Sequence, residues 1–195
     1  MTTLGLELPT DPRWVNIAGM NIGEILIDHA YCEQKAASSC ISLIVQYPEK
    51  VELVEVLTPV VAEEWGHFQR VLKELKKRNI PLGRQRKDLY VNALQAQMRS
   101  SSNYDENLME KLLLNALIEA RSCERFKLLS EQIADDSLRK FYYDLMVSEA
   151  GHYRNFIELA EAYMPAGVVR KRWKEILELE AGIMATLEVR GDRMH

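Results

Sequence analysis

A four-residue pattern occurs twice in this chain, as Glu64-Trp65-Gly66-His67 and as Glu149-Ala150-Gly151-His152. On an α-helix, residues three apart share a face and lie about 4.5 Å apart along the axis, so each Glu and His can aim an oxygen and a nitrogen at one point. Each tetrad is half of a metal site. Two such pairs, with one more Glu from each of two further helices, make up the inward ligand set of carboxylate-bridged di-iron and di-manganese four-helix bundles. A chain folding this way must supply two more isolated Glu residues.

Glu33 and Glu119 meet that requirement. A turn over 47–50 has its middle at Pro48-Glu49, with Glu33 and Glu64 equally far on either side, hence level in an antiparallel pair. A turn at Ala134-Asp135 leaves Glu119 and Glu149 level to within about one residue, roughly 1.5 Å of rise. The order Glu, ExxH, Glu, ExxH thus repeats with spacings of 31 and 30 residues. A single ExxH in a helical protein is more often a surface ion pair than a ligand pair. Here six such residues fall on the apolar faces of four helices, where unpaired charge is costly.

Two positions have competitors. Glu63 rivals Glu64, because i to i+4 also shares a face, but Glu64 reproduces the 149/152 spacing. Glu124 rivals Glu119, because it follows Cys123 as Glu33 follows Cys32. Glu124 lies about four residues, ~6 Å, from the height of Glu149 and is turned about 140° from Glu119, so geometry favours Glu119.

Four carboxylates and two imidazoles suit iron or manganese better than zinc or copper. The expected roles are terminal ligation by Glu33 with His67 and by Glu119 with His152, while Glu64 and Glu149 bridge. The six would act catalytically through two non-haem irons with O2 as co-substrate. His29 and Tyr142 are candidate partners of the ligands, or ordinary packed residues. Ala30, Ala36, Ala37, Gly66, Ala116, Ala120, Ala150 and Gly151 leave room for an apolar substrate or for close helix packing.

The remaining sequence fits a single domain over 1–195, long enough to bury a core. Apolar periodicity and turn signals place helices from Thr10-Asp11-Pro12 to about Ala18, and over about 21–46, 49–78, 87–99, 105–133, 137–163 and 168–189. Pro59 falls inside the third of these and is expected to kink it. No strand pattern occurs. The expected fold is all-α: a ferritin-like four-helix bundle with a crossing segment and flanking short helices.

No stretch approaches the ~20 apolar residues of a membrane span. The N-terminus shows no basic-then-apolar leader pattern, so a cytoplasmic location is expected. Cys32, Cys40 and Cys123 are odd in number and show no CxxC spacing. They read as reduced thiols.

The net charge of −4 gives no global sign of a polyanionic partner, but its distribution does. Eight cations and one acid, Glu74, lie between Arg70 and Lys87, and Arg170, Lys171, Arg172 and Lys174 form a second group. Lys73, Lys76, Lys77, Arg78, Arg84, Arg86, Lys87, Arg170, Lys171 and Arg172 are candidate RNA-phosphate contacts. Solvated helix ends also favour such cations.

Several runs carry a family likeness: Asp28-His29, Cys32-Glu33, Lys35-Ala36-Ala37, Arg78-Asn79-Ile80-Pro81, Ile118 to Phe126, and Ser148-Glu149-Ala150 with His152-Tyr153. They resemble the tRNA 2-methylthio-N6-isopentenyladenosine hydroxylase family, from about Gly23 to Ala160. The resemblance implies a non-haem di-iron monooxygenase that hydroxylates the isopentenyl group on adenosine 37, beside the anticodon of certain tRNAs. It implies Glu33, Glu64, His67, Glu119, Glu149 and His152 as iron ligands, the anticodon stem-loop as partner, and a reductase or ferredoxin as electron donor. The chain is shorter than many members between its first two helices, and Gly66 stands where a larger residue is common. Competing expectations are a di-iron oxidase or hydroxylase of a small apolar substrate, and ferritin-type iron oxidation and storage.

Overall fold

A computed structural model describes residues 3–195; Met1 and Thr2 lie outside the described residues. Among the described residues there are seven α-helices and no strand: α1 (Arg13–Met20), α2 (Ile22–Gln46), α3 (Val51–Lys77), α4 (Leu89–Gln95), α5 (Tyr104–Gln132), α6 (Asp136–Tyr163) and α7 (Ala166–Thr186). The chain clusters into two compact units, one of residues 16–87 and 190–194, the other of residues up to 15, 88–189 and 195.

The first unit is built on the α2/α3 hairpin, turned by Tyr47 to Lys50, where the Lys50 N–H donates to the Tyr47 carbonyl at 3.1 Å. Ile25, Leu26, Ala30, Ala37, Cys40 and Leu43 of α2 are buried, as are Leu53, Leu57, Val60, Val71 and Leu75 of α3. Burying each large aliphatic side chain contributes about 1.5–3 kcal/mol. Pro59 is accommodated within α3, and one residue earlier Thr58 Oγ1 donates back to the Val54 carbonyl at 2.6 Å.

The end of α3 is fixed by chain geometry. Asn79 takes a left-handed φ of 55°, its N–H donates to the Lys76 carbonyl, and that of Ile80 donates to the Leu75 carbonyl at 3.0 Å. This double capping satisfies the last carbonyls of the helix, and Asn tolerates that φ better than most residues. Ile80 then folds onto α2 at Gly23, where an added Cβ would come within 2.8 Å of the Ile80 Cδ1. The Arg78-Asn79-Ile80-Pro81 run therefore records a helix stop and its anchor.

The C-terminal residues 190–194 strap this unit. Met194 is fully buried and its N–H donates to Asp28 Oδ2 at 2.8 Å. Arg86 binds Glu24 at 2.6 Å and Asp192 at 3.4 Å. Gly191 lies so close to Ile17 that a Cβ would meet its carbonyl oxygen at 2.7 Å.

The second unit is built on the α5/α6 hairpin, with α7 against α4, α5 and α6. Side chains cap the helices: Asn103 Oδ1 accepts from Asp105 N at 2.9 Å and Glu106 N at 3.2 Å, and Asp135 Oδ1 accepts from Ser137 N at 2.9 Å and Leu138 N at 3.1 Å. Asp88 caps α4 through Val91 N, which starts that helix at Leu89, and turn bonds through Gln97 and Met98 end it early. The helix expected over about 87–99 is thus cut to two turns.

α5 is buried around most of its circumference. Besides Leu112, Ala116, Phe126 and Leu129 it buries Glu110, Glu119, Arg121, Glu124 and Arg125. Arg121, with no exposed surface, donates to Glu180 of α7 at 2.6 Å, to the Leu8 carbonyl at 2.9 Å and to Glu124. Thr10 donates to Glu124 from its N–H at 3.1 Å and from Oγ1 at 2.6 Å, and Tyr90 OH donates to Glu180 at 3.1 Å. Burial opposes the Arg121 charge, but the facing carboxylates of Glu180 and Glu124 leave its pKa raised. Arg125, stacked 4.6 Å over Trp14, is pulled down to about 10 by burial and by the neighbouring Arg121 charge.

Candidate metal centre

Each unit presents one cluster of the kind the repeated tetrads require. In the first, α2 supplies Glu33 and α3 supplies Glu64 and His67, and each offers one ligand atom within 4.8 Å of the others. They are 4, 1 and 6 % exposed. His67 Nδ1 lies 3.5 Å from Glu33 and 3.7 Å from Glu64. One turn before Glu33, His29 Nε2 sits 2.5 Å from Glu33 Oε1 with no exposed surface, so the carboxylate is held from behind.

In the second unit α5 supplies Glu119 and α6 supplies Glu149 and His152, again with one ligand atom each within 4.8 Å of the others. All three are buried, and His152 Nδ1 lies 3.0 Å from Glu149 Oε2. Tyr142, two turns before Glu149, is buried between the rings of Phe126 and Phe141 at centroid distances of 5.5 and 5.1 Å. Cys123 donates weakly to the Met146 carbonyl, and burial and the Glu149 charge push its thiol up to about 12.

The competitors point elsewhere. Glu63 is exposed on α3 while Glu64 is buried. Glu124 is committed to Thr10 and Arg121 on the opposite side of α5. At Gly66 and Gly151 an added Cβ would meet nothing within 4 Å, so neither glycine is required there for close helix packing.

The donor chemistry of each cluster fits a divalent cation. Two buried carboxylates carry two negative charges that burial alone would penalise by several kcal/mol each, and one dication offsets both. Carboxylate-rich ligation with a single imidazole matches iron or manganese. The two buried Glu/Glu/His sets fit a di-iron site.

The basic residues divide into two kinds. Lys73, Lys76, Arg84, Lys87 and Lys171 are exposed, and among the described residues none of them forms an ion pair, although the Lys171 charge helps to lower the pKa of Glu175. Lys77 is exposed but reaches Glu74 at 2.5 Å, and Arg170 approaches Glu161 at 3.8 Å. Arg78 binds Glu74 at 2.6 Å, Arg86 binds Glu24, and Arg172, 4 % exposed, binds Glu110 at 2.5 Å. These three, expected among the phosphate contacts, are engaged in ion pairs within the fold. Arg172 and Lys171 border a cavity of about 400 Å³ with Arg99, Glu106, Glu110 and Glu175. Among the described residues no helix is long and apolar enough to cross a membrane.

Sequence reasoning missed two features here. The ion cluster of Arg121, Glu124 and Glu180 depends on a helix about 60 residues downstream, which no local pattern reveals. Trp65, inside a tetrad, was passed over because only its Glu and His neighbours carry ligand chemistry, yet it is 46 % exposed.

Known proteins place this geometry. The chain is 37 % identical over 158 residues, 81 % of its length and 76 % of the relative's, to the tRNA 2-(methylsulfanyl)-N(6)-isopentenyladenosine(37) hydroxylase of Pseudomonas putida. It is 27 % identical to the protein of that name from Salmonella typhimurium, over 92 % of this chain and 83 % of the relative. Its fold is similar to that of a solved Synechococcus protein with aldehyde deformylating oxygenase activity. The TM-score is 0.91, the identity is 34 %, and 97 % of this chain and 94 % of that one are covered. The fold class is thus the all-α, ferritin-like one expected from the repeated tetrads. The family described as tRNA-(MS[2]IO[6]A)-hydroxylase (MiaE) matches residues 2–195, and with the Glu, ExxH order in place twice, the chain belongs to that family.

Proposed function

We propose that this chain is a non-haem di-iron monooxygenase that hydroxylates the isopentenyl group of 2-methylthio-N6-isopentenyladenosine at position 37 of tRNA. The observation that carries the reading is that a chain matching the hydroxylase family from residue 2 to residue 195 buries a Glu/Glu/His set in each unit. Glu33, Glu64 and His67 would hold one iron, and Glu119, Glu149 and His152 the other, with 1–195 as a single catalytic domain. Iron held by these residues would supply the two-electron chemistry toward O2, with a reductase or ferredoxin as electron donor, for the overall conversion of R–H, O2, two electrons and two protons to R–OH and water.

The protein's own side chains prepare that chemistry. His29 fixes the rotamer of Glu33, and burial of all six ligand side chains keeps bulk water from competing for the metal. Adenosine 37 lies in an unpaired loop, so it can be turned out of its stack into a pocket at modest cost. The exposed Lys73, Lys76, Lys77, Arg84 and Lys87 give the phosphates of the anticodon stem-loop a cationic seat. A tRNA substrate implies a cytoplasmic enzyme.

The test is to incubate reduced, iron-loaded protein with O2 and isopentenylated tRNA and digest the RNA to nucleosides. Mass spectrometry should find 2-methylthio-N6-isopentenyladenosine heavier by one oxygen; an unchanged nucleoside with full iron content overturns the reading. The 34 % identity to a protein with aldehyde deformylating oxygenase activity favours one second reading, oxidation of a small apolar aldehyde. Aldehyde consumption under the same conditions, with tRNA untouched, would select it.

A further inference from the structure

The outer face of α3 carries an aromatic ring in line with unpaired cations. Trp65 is 46 % exposed, although it stands between two buried ligand candidates, Glu64 and His67. It is braced from below: its ring centroid lies 4.9 Å from that of Phe68, which is itself 8 % exposed. The indole is therefore a supported plate rather than a loose side chain. The other tryptophans differ, since Trp14 is buried under Arg125 and Trp173 is half-buried beside Tyr153.

Helix geometry sets what lies beside the plate. At 100° per residue, Lys76 is turned only about 20° from Trp65 and lies about 16 Å along α3; Lys73 is turned about 80° and lies about 12 Å away. Both are exposed, and among the described residues neither forms an ion pair with a carboxylate. Exposed Gln69 lies between them and the ring, so no acid interrupts the row. An aromatic face followed by spaced cations is the arrangement that binds single-stranded nucleic acid, with a base on the ring and phosphates on the ammonium groups. A protein surface would match the ring but would gain less from cations that no acid on this face offsets.

We propose that Trp65 is a stacking platform for an unpaired base of the anticodon loop, positioning the loop while Lys73 and Lys76 hold its phosphates. The inference rests on the tRNA reading above and adds a positioning residue to it. Trp65 acts on RNA seating and does not touch the metal.

The test uses full-length iron-loaded protein and a fluorescent anticodon stem-loop RNA with unmodified adenosine at position 37. Dissociation constants are measured by anisotropy, and iron per chain serves as the folding control. Trp65→Ala is expected to weaken binding about 5- to 150-fold, while Trp65→Phe, which keeps a π-face, recovers much of the loss. Loop bases replaced one at a time by abasic nucleotides then locate the stacked base: at one position the difference between wild type and Trp65→Ala should vanish. Equal affinity of wild type and Trp65→Ala, with Lys76→Glu impaired, overturns the platform and leaves the tRNA reading standing. No binding by wild type, either to this RNA or to the same stem-loop carrying 2-methylthio-N6-isopentenyladenosine at position 37, removes the tRNA reading itself. A Trp65→Ala loss that persists at every abasic position, with sedimentation showing a dimer turned monomer, assigns the ring to self-association and overturns the proposal.

Discussion

The imidazole of His29 lies 2.5 Å from the carboxylate of Glu33, one helical turn ahead of it and without solvent exposure. A carboxylate held in this way presents one oxygen in a fixed direction, so its affinity for a cation depends on the residue behind it. His29→Ala is expected to weaken iron binding about 10- to 100-fold while leaving helicity unchanged. Iron per chain after dialysis against a graded chelator series reports it. Wild-type retention in the variant would show that Glu33 needs no support.

Glu119 and Glu124 lie five residues apart and should fail in different ways. Glu119→Ala removes a ligand candidate, and iron content should fall while the fold persists. Glu124→Ala leaves Arg121 buried with part of its charge uncompensated, at a cost of about 3–5 kcal/mol. For a chain of this size that lowers the melting temperature by roughly 6–20 °C. Thermal unfolding with iron analysis on both variants distinguishes the two effects.

Thiol reactivity follows the shift at Cys123. With its pKa pushed up to about 12, only about one thiol in 10⁴ is ionised at pH 8, so alkylation of the folded protein should begin elsewhere. Half-buried Cys32 should label first, and the Cys123 rate should climb about tenfold per pH unit below 12. Peptide mapping after timed alkylation of metal-free protein at pH 7 to 9 checks both. Rapid, pH-independent labelling of Cys123 would contradict the buried geometry.

Gly191→Ala places a methyl group 2.7 Å from the Ile17 carbonyl oxygen and 2.9 Å from its carbon. Backbone cannot yield as a flexible side chain does, so the strap of residues 190–194 should lift, at about 1–3 kcal/mol. Hydrogen exchange at the Met194 amide, protected by Asp28 in the native protein, should accelerate in the variant.

The cations without partners should govern the salt dependence of RNA binding. Lys73→Ala with Lys76→Ala should lower affinity for any stem-loop sequence alike and reduce the slope of log K against log salt by about 2. Arg78→Ala should instead loosen the end of α3, because its guanidinium is tied to Glu74. Filter binding from 50 to 200 mM salt separates these outcomes.

The long helices were legible because α2, α3 and α6 each alternate a buried apolar stripe with a wet face, and their ends fell within a residue or two. α4 was overestimated because its stop is made by Ala96 and Gln97 turning, with no Gly or Pro to mark it. α5 was the hard case: periodicity presumes a solvent face, whereas this helix buries Arg121, Glu124 and Arg125 on the side away from Glu119. The convergence of Glu33 with Glu64 and His67, and of Glu119 with Glu149 and His152, was legible since it follows from helical spacing and turn position. The division of the basic run was not, because Arg78 and Arg86 are claimed by Glu74 and Glu24, and only folding brings Glu24 within reach.

The bond between Arg121 and Glu180 also sets what α5 and α7 require of each other. Glu124 answers the guanidinium from its own helix, and Glu180 answers it from α7, so the cation is fully matched only when the two helices are docked. A loosened α7 would strand opposite charges away from water on both surfaces, which ties the seating of that helix to the integrity of the second unit.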